Sequence, residues 1–416
     1  MSSQIHNSCG LDVHKQFIIA TTLTDTDSLK KQKRFEWNEN GLSEFKSWVL
    51  SEQCDVIACE STSDYWVPIY DSLNDHIPVI VGNARDIKAF THKKTDNVDS
   101  EFIAKLALNG MIQPSRVFTQ EVRGFRSLIR QRHIFVRKRS DIKNEAHSVL
   151  SNEEFHLDNV LSDIFGKGGR RILSGIISGT PVNEIIESLP KNLRKKRDQI
   201  LEVLNAEISE NTALRLKSCL TMIDAFDGEI GSLENEFFHY AYARYPREMK
   251  ILTSVPGIGE LGAATLLAEI GDFHDFPSGD KLASWLGIVP TVHQSADKYY
   301  NGRITKRGGS KVARWMLTQI AHAAARTKKS KLKEFYLRKK DSLGFGKAII
   351  ALARKIVTIT WHLITNDELY EDETGYEKNY IIKKKVFETI SIPVDERIKI
   401  LHEMKIVMDR IDHRVG

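Results

Sequence analysis

Residues 8–23 have the sequence SCGLDVHKQFIIATTL, which contains two β-rich runs. Ser8–Asp12 and Phe17–Leu23 are rich in apolar and β-branched residues, and polar residues around Lys15 separate them. A third run of this kind follows at Lys33–Trp37. Such runs bounded by polar turns are typical of strands. The sequence therefore predicts that the chain begins with three consecutive strands joined by short turns.

Helical and β-rich patterns alternate after these strands. The apolar spacing predicts two helices and two strands, in the chain order Leu42–Leu50 (helix), Val56–Cys59 (strand), Tyr65–Leu73 (helix) and Pro78–Val81 (strand). Three strands followed by alternating helix and strand is the order of an RNase H-like α/β sheet. We predict this fold for residues 1–115.

A long helical region follows the predicted sheet. A helix is predicted over Asp96–Leu106, and from residue 120 onward the pattern is wholly helical. Between residues 216 and 240 the apolar residues recur every three or four positions, as in the seam of a coiled coil. These residues are Leu216, Cys219, Ile223, Phe226, Ile230, Leu233, Phe237 and Tyr240. The partner helix is either the basic helix over 120–150 or the same arm of a second subunit. We predict a helical, coiled-coil region over residues 116–250.

A second compact unit, mainly α-helical, is predicted over residues 251–370. It opens with VPGIGELGAATLLAEI at 255–270, where a Gly-x-Gly turn precedes an Ala/Leu-rich helix as in a helix-hairpin-helix element. The polar stretch Thr291–Gly309 predicts a loop. Further helices are predicted at 280–286, Val312–Arg326 and Ala348–Leu363.

Composition and charge favour a cytoplasmic protein that binds a polyanion. The chain has 416 residues, with 60 Lys and Arg against 55 Asp and Glu and a net charge of +5. Basic residues are concentrated at 123–143 and 303–314, whereas residues 371–416 form a charged tail with a predicted helix over Val394–Ile411. The four cysteines lack CxxC spacing, the N-terminus lacks a signal-peptide pattern, and no run of about 18 apolar residues stands out. We expect neither disulfides, structural zinc nor a membrane span.

Four carboxylates occupy positions that suit a two-metal phosphodiester site. Asp12 ends the first predicted strand, Glu60 follows the strand VIAC, and Asp96 and Asp99 lie one turn apart at the start of a predicted helix. Mg²⁺ prefers oxygen ligands, and paired ions hold the attacking and leaving oxygens of a phosphodiester. Each carboxylate taken singly is more often a cap, a turn residue or a surface charge. Their joint order predicts a metal site.

Two blocks of motifs resemble one transposase family. GLDVHK at 10–15, CES at 59–61 and KTDNVDSEFIAKL at 94–106 resemble the DEDD signature of the RuvC-like domain of IS110-family insertion-sequence transposases. Residues 255–317 resemble the second conserved domain of that family, with its GIG turn, its FPSGDKLASWLGIVP segment and its GRITKRG segment. The two blocks occur in the family's order over residues 5–365.

The resemblance implies a DNA recombinase that is similar to the pilin-gene invertases. It implies Mg²⁺, for which Mn²⁺ substitutes, donor and target DNA, and a structured bridge RNA as guide. The long apolar seam at 216–240 separately predicts a homo-oligomer, a dimer or a tetramer. It also places a nucleophilic serine in the loop after the Gly-x-x-Pro segment, which is Ser295 of HQSADK in this chain. The family commonly has glycine after this serine, whereas Ala296 follows here.

Other residues compete with Ser295 for the role of nucleophile. Serine is a weak nucleophile at its ordinary pKa and needs a base or a metal ion. In an extended segment His293 points to the same side as Ser295, although a polar histidine is more often just solvated. Ser284 is a rival serine, but it lies in a helix pattern where we expect it to be buried. Tyr299 and Tyr300 offer a tyrosine nucleophile, for which the accompanying Arg/His constellation is not evident.

Two sets of residues suit contacts with nucleic-acid phosphates. The first set combines glycine turns, where backbone N–H groups approach a phosphate closely, with cations that follow them in the chain. Its members are Gly257, Gly259, Arg303, Lys306 and Arg307. The second set is Arg126, Arg130 and Arg137 on the basic helix, which suits a long duplex, with RNA as the partner that the resemblance favours. The structural alternatives are a tight turn between core helices and a solvated basic face.

Three functions remain open on the sequence alone. The leading hypothesis is a metal-dependent recombinase in which the carboxylate site activates the scissile phosphate and Ser295 attacks it, which requires the two domains to meet. In a RuvC-like junction-resolving endonuclease, water attacks instead and no protein–DNA bond forms. A non-catalytic nucleic-acid-binding protein would keep only the fold. Carboxylates at all four positions argue against the last alternative.

Overall fold

The computed structural model describes residues 5–25, 30–90, 100–204, 208–295, 298–304 and 309–371. The chain divides into two compact units, Met1–Thr119 and Gln120–Gly416. The predicted helix over Val394–Ile411 lies outside the described residues. The predicted further division of the second unit, at residues 250 and 370, stays a prediction.

The first unit is a five-stranded mixed sheet with helices. Its elements are β1 (Asn7–Val13), β2 (Phe17–Thr24), β3 (Lys30–Glu36), α1 (Glu39–Ser51), β4 (Val56–Glu60), α2 (Trp66–Leu73), β5 (Val79–Gly82), α3 (Ala84–Ala89) and α4 (Ser100–Leu108). The strand order is β3-β2-β1-β4-β5, with β1, β2 and β3 antiparallel and β1, β4 and β5 parallel. The predicted α/β order is confirmed, and only the short helix α3 was missed.

The sheet of the first unit is covered on both faces. Successive side chains of a strand point to opposite faces. On one face, Leu11 and Ile57 belong to a buried core that also includes Phe45 of α1. On the other face, Ala58 packs in a second core with Ile103 of α4. The unit therefore has three layers, and α4 packs against β1, β2 and β4 on this second face.

The cysteines are free thiols, as the sequence analysis predicted. Burial raises the pKa of the Cys59 thiol to about 12, with a smaller contribution from the neighbouring charge of Glu60. The nucleophilic thiolate is therefore essentially absent at neutral pH, and Cys59 has a packing role.

In its described residues, the second unit consists of helices and one two-stranded sheet. Its helices are α5 (Gln120–Ser151), α6 (Lys167–Ile177), α7 (Val182–Ser188), α8 (Lys191–Arg194), α9 (Arg197–Leu204), α10 (Glu210–Arg244), α11 (Pro246–Ser254), α12 (Glu260–Ile270), α13 (Gly279–Trp285), α14 (Lys311–Arg326), α15 (Lys331–Leu343) and α16 (Phe345–Thr365). The two strands are β6 (Pro290–Ser295) and β7 (Lys298–Ile304). The mostly helical character predicted for this region is confirmed, and α15 was missed.

The helices α5 and α10 form a long antiparallel arm. Arg132 of α5 is paired with Glu234 of α10 at 2.7 Å, and Arg139 is paired with Asp227. Increasing residue numbers on α5 thus face decreasing numbers on α10. The most buried members of the predicted seam are Leu216, Ile223, Ile230 and Phe237. Within this chain the partner helix of the seam is α5, the first of the two alternatives that the sequence left open.

The prediction of a loop over Thr291–Gly309 is wrong for most of that range. Strands β6 and β7 pair antiparallel, from Pro290↔Ile304 to Ser295↔Lys298. Polar residues dominate both strands, so the hydrophobic alternation that identifies a strand is weak here. Strand pairing satisfies the backbone N–H and C=O groups whatever the side chains are.

One described helix, α16, has the length and hydropathy of a membrane span, contrary to the expectation that no such run is present. Its Ala348, Leu352 and Ile356 are fully buried in the core of the second unit. A helix buried in the core of a large unit is apolar around much of its circumference. The composition of α16 is thus explained by its packing.

We predict that Ile223→Ala lowers the free energy of unfolding of the second unit by about 2–4 kcal/mol, because it removes fully buried methyl groups from the seam. Leu214→Ala on the same helix is the matched control, since Leu214 is 67% exposed, and its effect should stay within about 0.5 kcal/mol. Urea unfolding followed by circular dichroism measures both. Equal effects of the two substitutions would contradict the arm geometry.

Candidate active site

Asp12 and Glu60, two of the four predicted metal ligands, lie beside each other on neighbouring strands. Strands β1 and β4 are parallel, and their register pairs Leu11 with Cys59. Asp12 and Glu60 are the next residues along the two strands. Paired residues on adjacent parallel strands point to the same face and are about 4.8 Å apart. Both carboxylates therefore project from one face, at the carboxyl ends of the two strands.

Helix α4 packs on that same face in direct backbone contact with β1. A Cβ at Gly10 would lie 2.1 Å from the backbone O of Ser100 and 2.2 Å from the backbone N of Ala104. Two residues earlier, the Ser8 hydroxyl donates a hydrogen bond to the Ala104 carbonyl at 2.9 Å. Helix and strand therefore run in opposite directions, and the first residue of α4, Ser100, lies toward the end of β1 that carries Asp12.

Buried hydrogen bonds hold the start of α4 against the sheet. The Ser100 hydroxyl lies 2.7 Å from Oγ1 of Thr21 on β2. Gln32 of β3 donates from Nε2 to the same Thr21 oxygen at 3.0 Å. Ser100 and Thr21 are both fully buried, so a movement of α4 would break a hydrogen bond between two buried hydroxyls. The beginning of α4 is thus tied to three adjacent strands.

The two carboxylates keep their access to solvent and have polar neighbours. His14 Nε2 lies 2.9 Å from Oδ2 of Asp12, whose side chain is 30% exposed. The Thr62 hydroxyl donates a hydrogen bond to Oε1 of Glu60. These oxygens are the hard donors that Mg²⁺ prefers, and their position at a strand end leaves room for water ligands.

The other two predicted ligands, Asp96 and Asp99, lie outside the described residues. Within the described ranges, no three His, Cys, Asp or Glu side chains come together as a metal-binding group. The described part of the site is therefore a pair of carboxylates, and the assignment of all four ligands stays a prediction.

Ser295 is the last residue of β6, and its backbone is paired with Lys298 at the end of the two-stranded sheet. In the same register His293 is opposite Tyr300. The rival Ser284 is within α13, as predicted, but it is exposed rather than buried, because it lies on the opposite side of the helix from the buried Leu282 and Ala283.

The Gly-x-Gly turn connects α11 to α12. Gly257 has φ +92°, in the region that favours glycine, and a Cβ there would lie 2.5 Å from the backbone N of Ala324 on α14. Gly257 therefore serves the packing of the turn on α14. Gly259, in contrast, is exposed at the N-terminus of α12 and has open space where a Cβ would be. Arg303 is in β7, whereas Lys306 and Arg307 lie outside the described residues.

Two of the three predicted basic contacts on α5 bind a buried carboxylate. Arg126 Nη2 lies 2.9 Å from Oε2 of Glu269, and Arg130 Nε lies 2.8 Å from its Oε1. The Glu269 side chain is fully buried on α12. Burial alone would raise the pKa of Glu269, but the hydrogen bond from Arg130, the charges of both arginines and the Ser310 hydroxyl together lower it. Glu269 is thus ionised at neutral pH.

Glu269 escaped the sequence analysis although a signal for it was present. It is the carboxylate of the apolar sequence LLAEI at 266–270, in the Ala/Leu-rich helix predicted after the Gly-x-Gly turn. A charged residue in a buried helix needs a partner of opposite charge. Its partners lie 139 and 143 positions earlier in the chain, and no local pattern identifies them.

Comparison with known proteins identifies the class of this chain. Residues 9–153 match a family described as a transposase, the DEDD type of IS110 elements. Residues 249–337 match the Transposase IS116/IS110/IS902 family. An α/β unit with paired carboxylates at its strand ends and a helical second unit, together with these matches, define an insertion-sequence transposase. Among these enzymes, the chain belongs to the IS110/IS116 family, whose two domains it carries.

Related proteins agree with this assignment. The chain is 26% identical over 325 residues to the transposase for insertion sequence element IS1111A of Coxiella burnetii, which covers 77% of this chain and 80% of the relative. It is 25% identical over 283 residues to a probable family 20 transposase of Pseudomonas aeruginosa, covering 67% and 74%. It is 24% identical over 178 residues to a pilin gene-inverting protein of Moraxella bovis, covering 42% and 53%. The resemblance found in the motifs is confirmed.

We predict that Gly10→Ala displaces α4 and lowers the free energy of unfolding of the first unit by about 1–3 kcal/mol, because the new methyl group meets backbone atoms that cannot rotate away. Gly124→Ala, on the exposed surface of α5 with open space around it, is the control and should be neutral or stabilising. Chemical denaturation of both variants measures this difference. Wild-type stability of Gly10→Ala would disprove the close contact.

We predict that Glu269→Gln lowers the free energy of unfolding at pH 7 by about 3 kcal/mol, because it leaves two arginines without their counter-charge. The lowered pKa of Glu269 means that its stabilising effect is present above the ordinary glutamate pKa of about 4.3 and is lost as the pH falls through the lower, folded-state value. The difference between wild type and variant should therefore shrink in acid. Urea unfolding at a series of pH values measures it.

Glu234→Gln is the matched control for this prediction. Glu234 also pairs with an arginine of α5, but its side chain is 31% exposed. Its loss should cost less than about 1 kcal/mol at any pH. A pH-independent effect of Glu269→Gln would contradict an ionised Glu269.

Proposed function

We propose that this transposase cuts and rejoins DNA strands with a divalent-metal site formed by Asp12, Glu60, Asp96 and Asp99 and with Ser295 as the nucleophile. The observation that carries the proposal is the pairing of Asp12 and Glu60 at the ends of β1 and β4. The remaining two carboxylates come just before α4 in the sequence, and α4 begins near the same end of β1.

The donor set fits Mg²⁺ or Mn²⁺. Carboxylates are hard anionic ligands, and sulfur ligands, which would favour softer ions, are absent from the proposed set. When bound, the ion polarises the scissile phosphate and offsets the negative charge that develops on it. The protein's own contribution is a rigid sheet that holds Asp12 and Glu60 on one face, with α4 fixed by Ser100.

The proposed strand exchange balances as two ester transfers. The Ser295 oxygen loses its proton and forms a bond to phosphorus, while the bond from phosphorus to the sugar oxygen breaks and that oxygen takes up a proton. A sugar hydroxyl of the joining strand then attacks the serine phosphodiester. Ser295 regains its proton, and the DNA backbone is restored without any oxidant or nucleotide cofactor.

The proposal has three finer parts. Guidance by a structured bridge RNA rests on the family resemblance, assembly as a homo-oligomer rests on the long apolar seam of α10, and action in the cytoplasm on donor and target DNA rests on the cysteine pattern and the composition. The basic surface of α5, on which Arg137 is exposed, supports a nucleic-acid partner. We also propose Gly259, Arg303, Lys306 and Arg307 as phosphate contacts. Arg126 and Arg130 would contribute in addition to their ion pairs with Glu269.

We predict that Ser295→Ala abolishes strand joining and leaves stability within about 0.5 kcal/mol of wild type, because it removes a single oxygen from a polar segment. Asp12→Ala should abolish the same step through loss of metal binding. A nicked suicide DNA substrate is incubated with each protein, and mass spectrometry of the digested complex locates any DNA–peptide bond. The expected result is an adduct at Ser295 in the wild type alone.

Two controls separate the alternatives. Ser284→Ala removes the rival, exposed serine and should recombine DNA normally. Excess Mn²⁺ should restore some activity to a conservative carboxylate variant such as Asp12→Asn but none to Ser295→Ala. Free cleaved ends without an adduct would indicate attack by water, and an adduct at Ser284, Tyr299 or Tyr300 would overturn the assignment of the nucleophile.

A further inference from the structure

Trp315 is a large aromatic residue on the surface of the second unit. It lies one turn into α14 and is 38% exposed. Its ring makes a T-shaped contact with His133 of α5, with 4.9 Å between the ring centroids and an angle of 61° between the planes. An indole that is held by a ring contact and is still partly exposed to solvent differs from a side chain that is simply solvated. It is a preorganised surface for a second aromatic group.

The state of the His133 ring suits its contact with Trp315. Its Nδ1 is buried and has no hydrogen-bond partner within the described part of the chain. Burial, with the positive charges of Arg137 and Arg132, lowers the pKa of His133, so the ring is neutral at neutral pH. A neutral imidazole next to Trp315 packs as an aromatic ring and adds no charge of its own.

Basic residues lie within one helical turn of each of the two rings. Arg130 and Arg137 lie on the same face of α5 as His133, one turn before and one turn after it. Lys311, one turn before Trp315 on α14, is exposed. The carboxylate closest to Arg130 is that of Glu269, which is buried and already neutralised. In the part of the chain that the structure describes, Arg137 forms no ion pair and is exposed.

We propose that this surface binds single-stranded DNA, with an unpaired base stacked on Trp315 and the adjacent phosphates on Arg137 and Lys311. Aromatic side chains bind bases by stacking regardless of sequence, and nearby cations bind the backbone. We identify the bound strand as DNA because the chain is a transposase, so the identity of this partner rests on that function. This surface would hold a displaced or unpaired strand and would take no part in the proposed chemistry.

A duplex or a protein partner fits these features less well. The bases of a duplex are stacked on one another, so an exposed indole has no unpaired base to contact. An acidic protein would use the cations but would not need an aromatic ring fixed between them. The combination of a held ring and unneutralised cations is characteristic of sites for single-stranded nucleic acid.

The test measures binding of a fluorescein-labelled oligothymidylate and of an abasic oligomer of the same length, in EDTA so that no cleavage occurs. Trp315→Leu keeps apolar bulk but removes the aromatic face. We expect it to weaken binding of the oligothymidylate by about tenfold and to leave binding of the abasic oligomer unchanged. Trp315→Phe should recover most of the loss. Arg137→Gln should weaken both oligomers equally and reduce the dependence of log Kd on log salt by about 0.7.

Phe345→Ala is the matched control. Phe345 is 58% exposed in the same unit and also contacts a histidine, His322, at 5.6 Å. An equal loss in Phe345→Ala and Trp315→Leu would overturn the assignment of the site, as would equal losses for the intact and abasic oligomers. If Trp315→Leu weakened binding of oligouridylate but not of oligothymidylate, the assignment of the strand as DNA would be wrong. Ser295→Ala should bind like the wild type, so failure of the proposed chemistry and failure of this site are distinguishable.

Discussion

The contact between the backbone of α4 and strand β1 at Gly10 is the constraint on which the candidate active site depends. No side chain separates helix from strand there, so the distance between them is set by backbone atoms alone. Ser8 and Ser100 then determine where along β1 the helix begins, because each buries a hydroxyl that must find its partner. Two carboxylates of the sheet and the two that precede α4 in sequence can serve one metal site only if helix and strand keep this register.

In the second unit, a buried ion pair rather than a glycine contact fixes the positions of neighbouring helices. Glu269 is buried on α12 and connects it to α5 through Arg126 and Arg130, while the Ser310 hydroxyl at the start of α14 also reaches it. A buried carboxylate costs several kcal/mol to desolvate, so its arginines must stay in place. The long arm of α5 and α10 is thereby anchored to the helices that carry the Gly-x-Gly turn, and basic residues that suited nucleic acid in the sequence have a structural role as well.

The sequence predicted those features that depend on neighbours in the chain. The strands β1, β2 and β4 and the seam of α10 follow from local periodicity, and the positions of Asp12 and Glu60 follow from their places after strands. Features that depend on distant residues could not be predicted. Nothing near Arg130 indicates that Glu269 lies against it, and nothing in the polar residues of β6 and β7 shows that the two strands pair. The helical phase of Ser284 was available from the sequence, however, since Leu282 and Ala283 take the buried side of α13.

The two proposed halves of the reaction lie on sheets of very different size. Asp12 and Glu60 lie on central strands of a five-stranded sheet that has helices on both faces. Ser295 ends a strand of a two-stranded sheet, and two strands alone are marginally stable in water. Metal ligands must be held within a few tenths of an ångström, so a rigid sheet suits them. A nucleophile that becomes esterified to DNA and is later released must instead tolerate two bonding states. Its place at the end of a small hairpin, just before a basic segment and the helix that carries Trp315, suits a group whose final position is set when DNA binds.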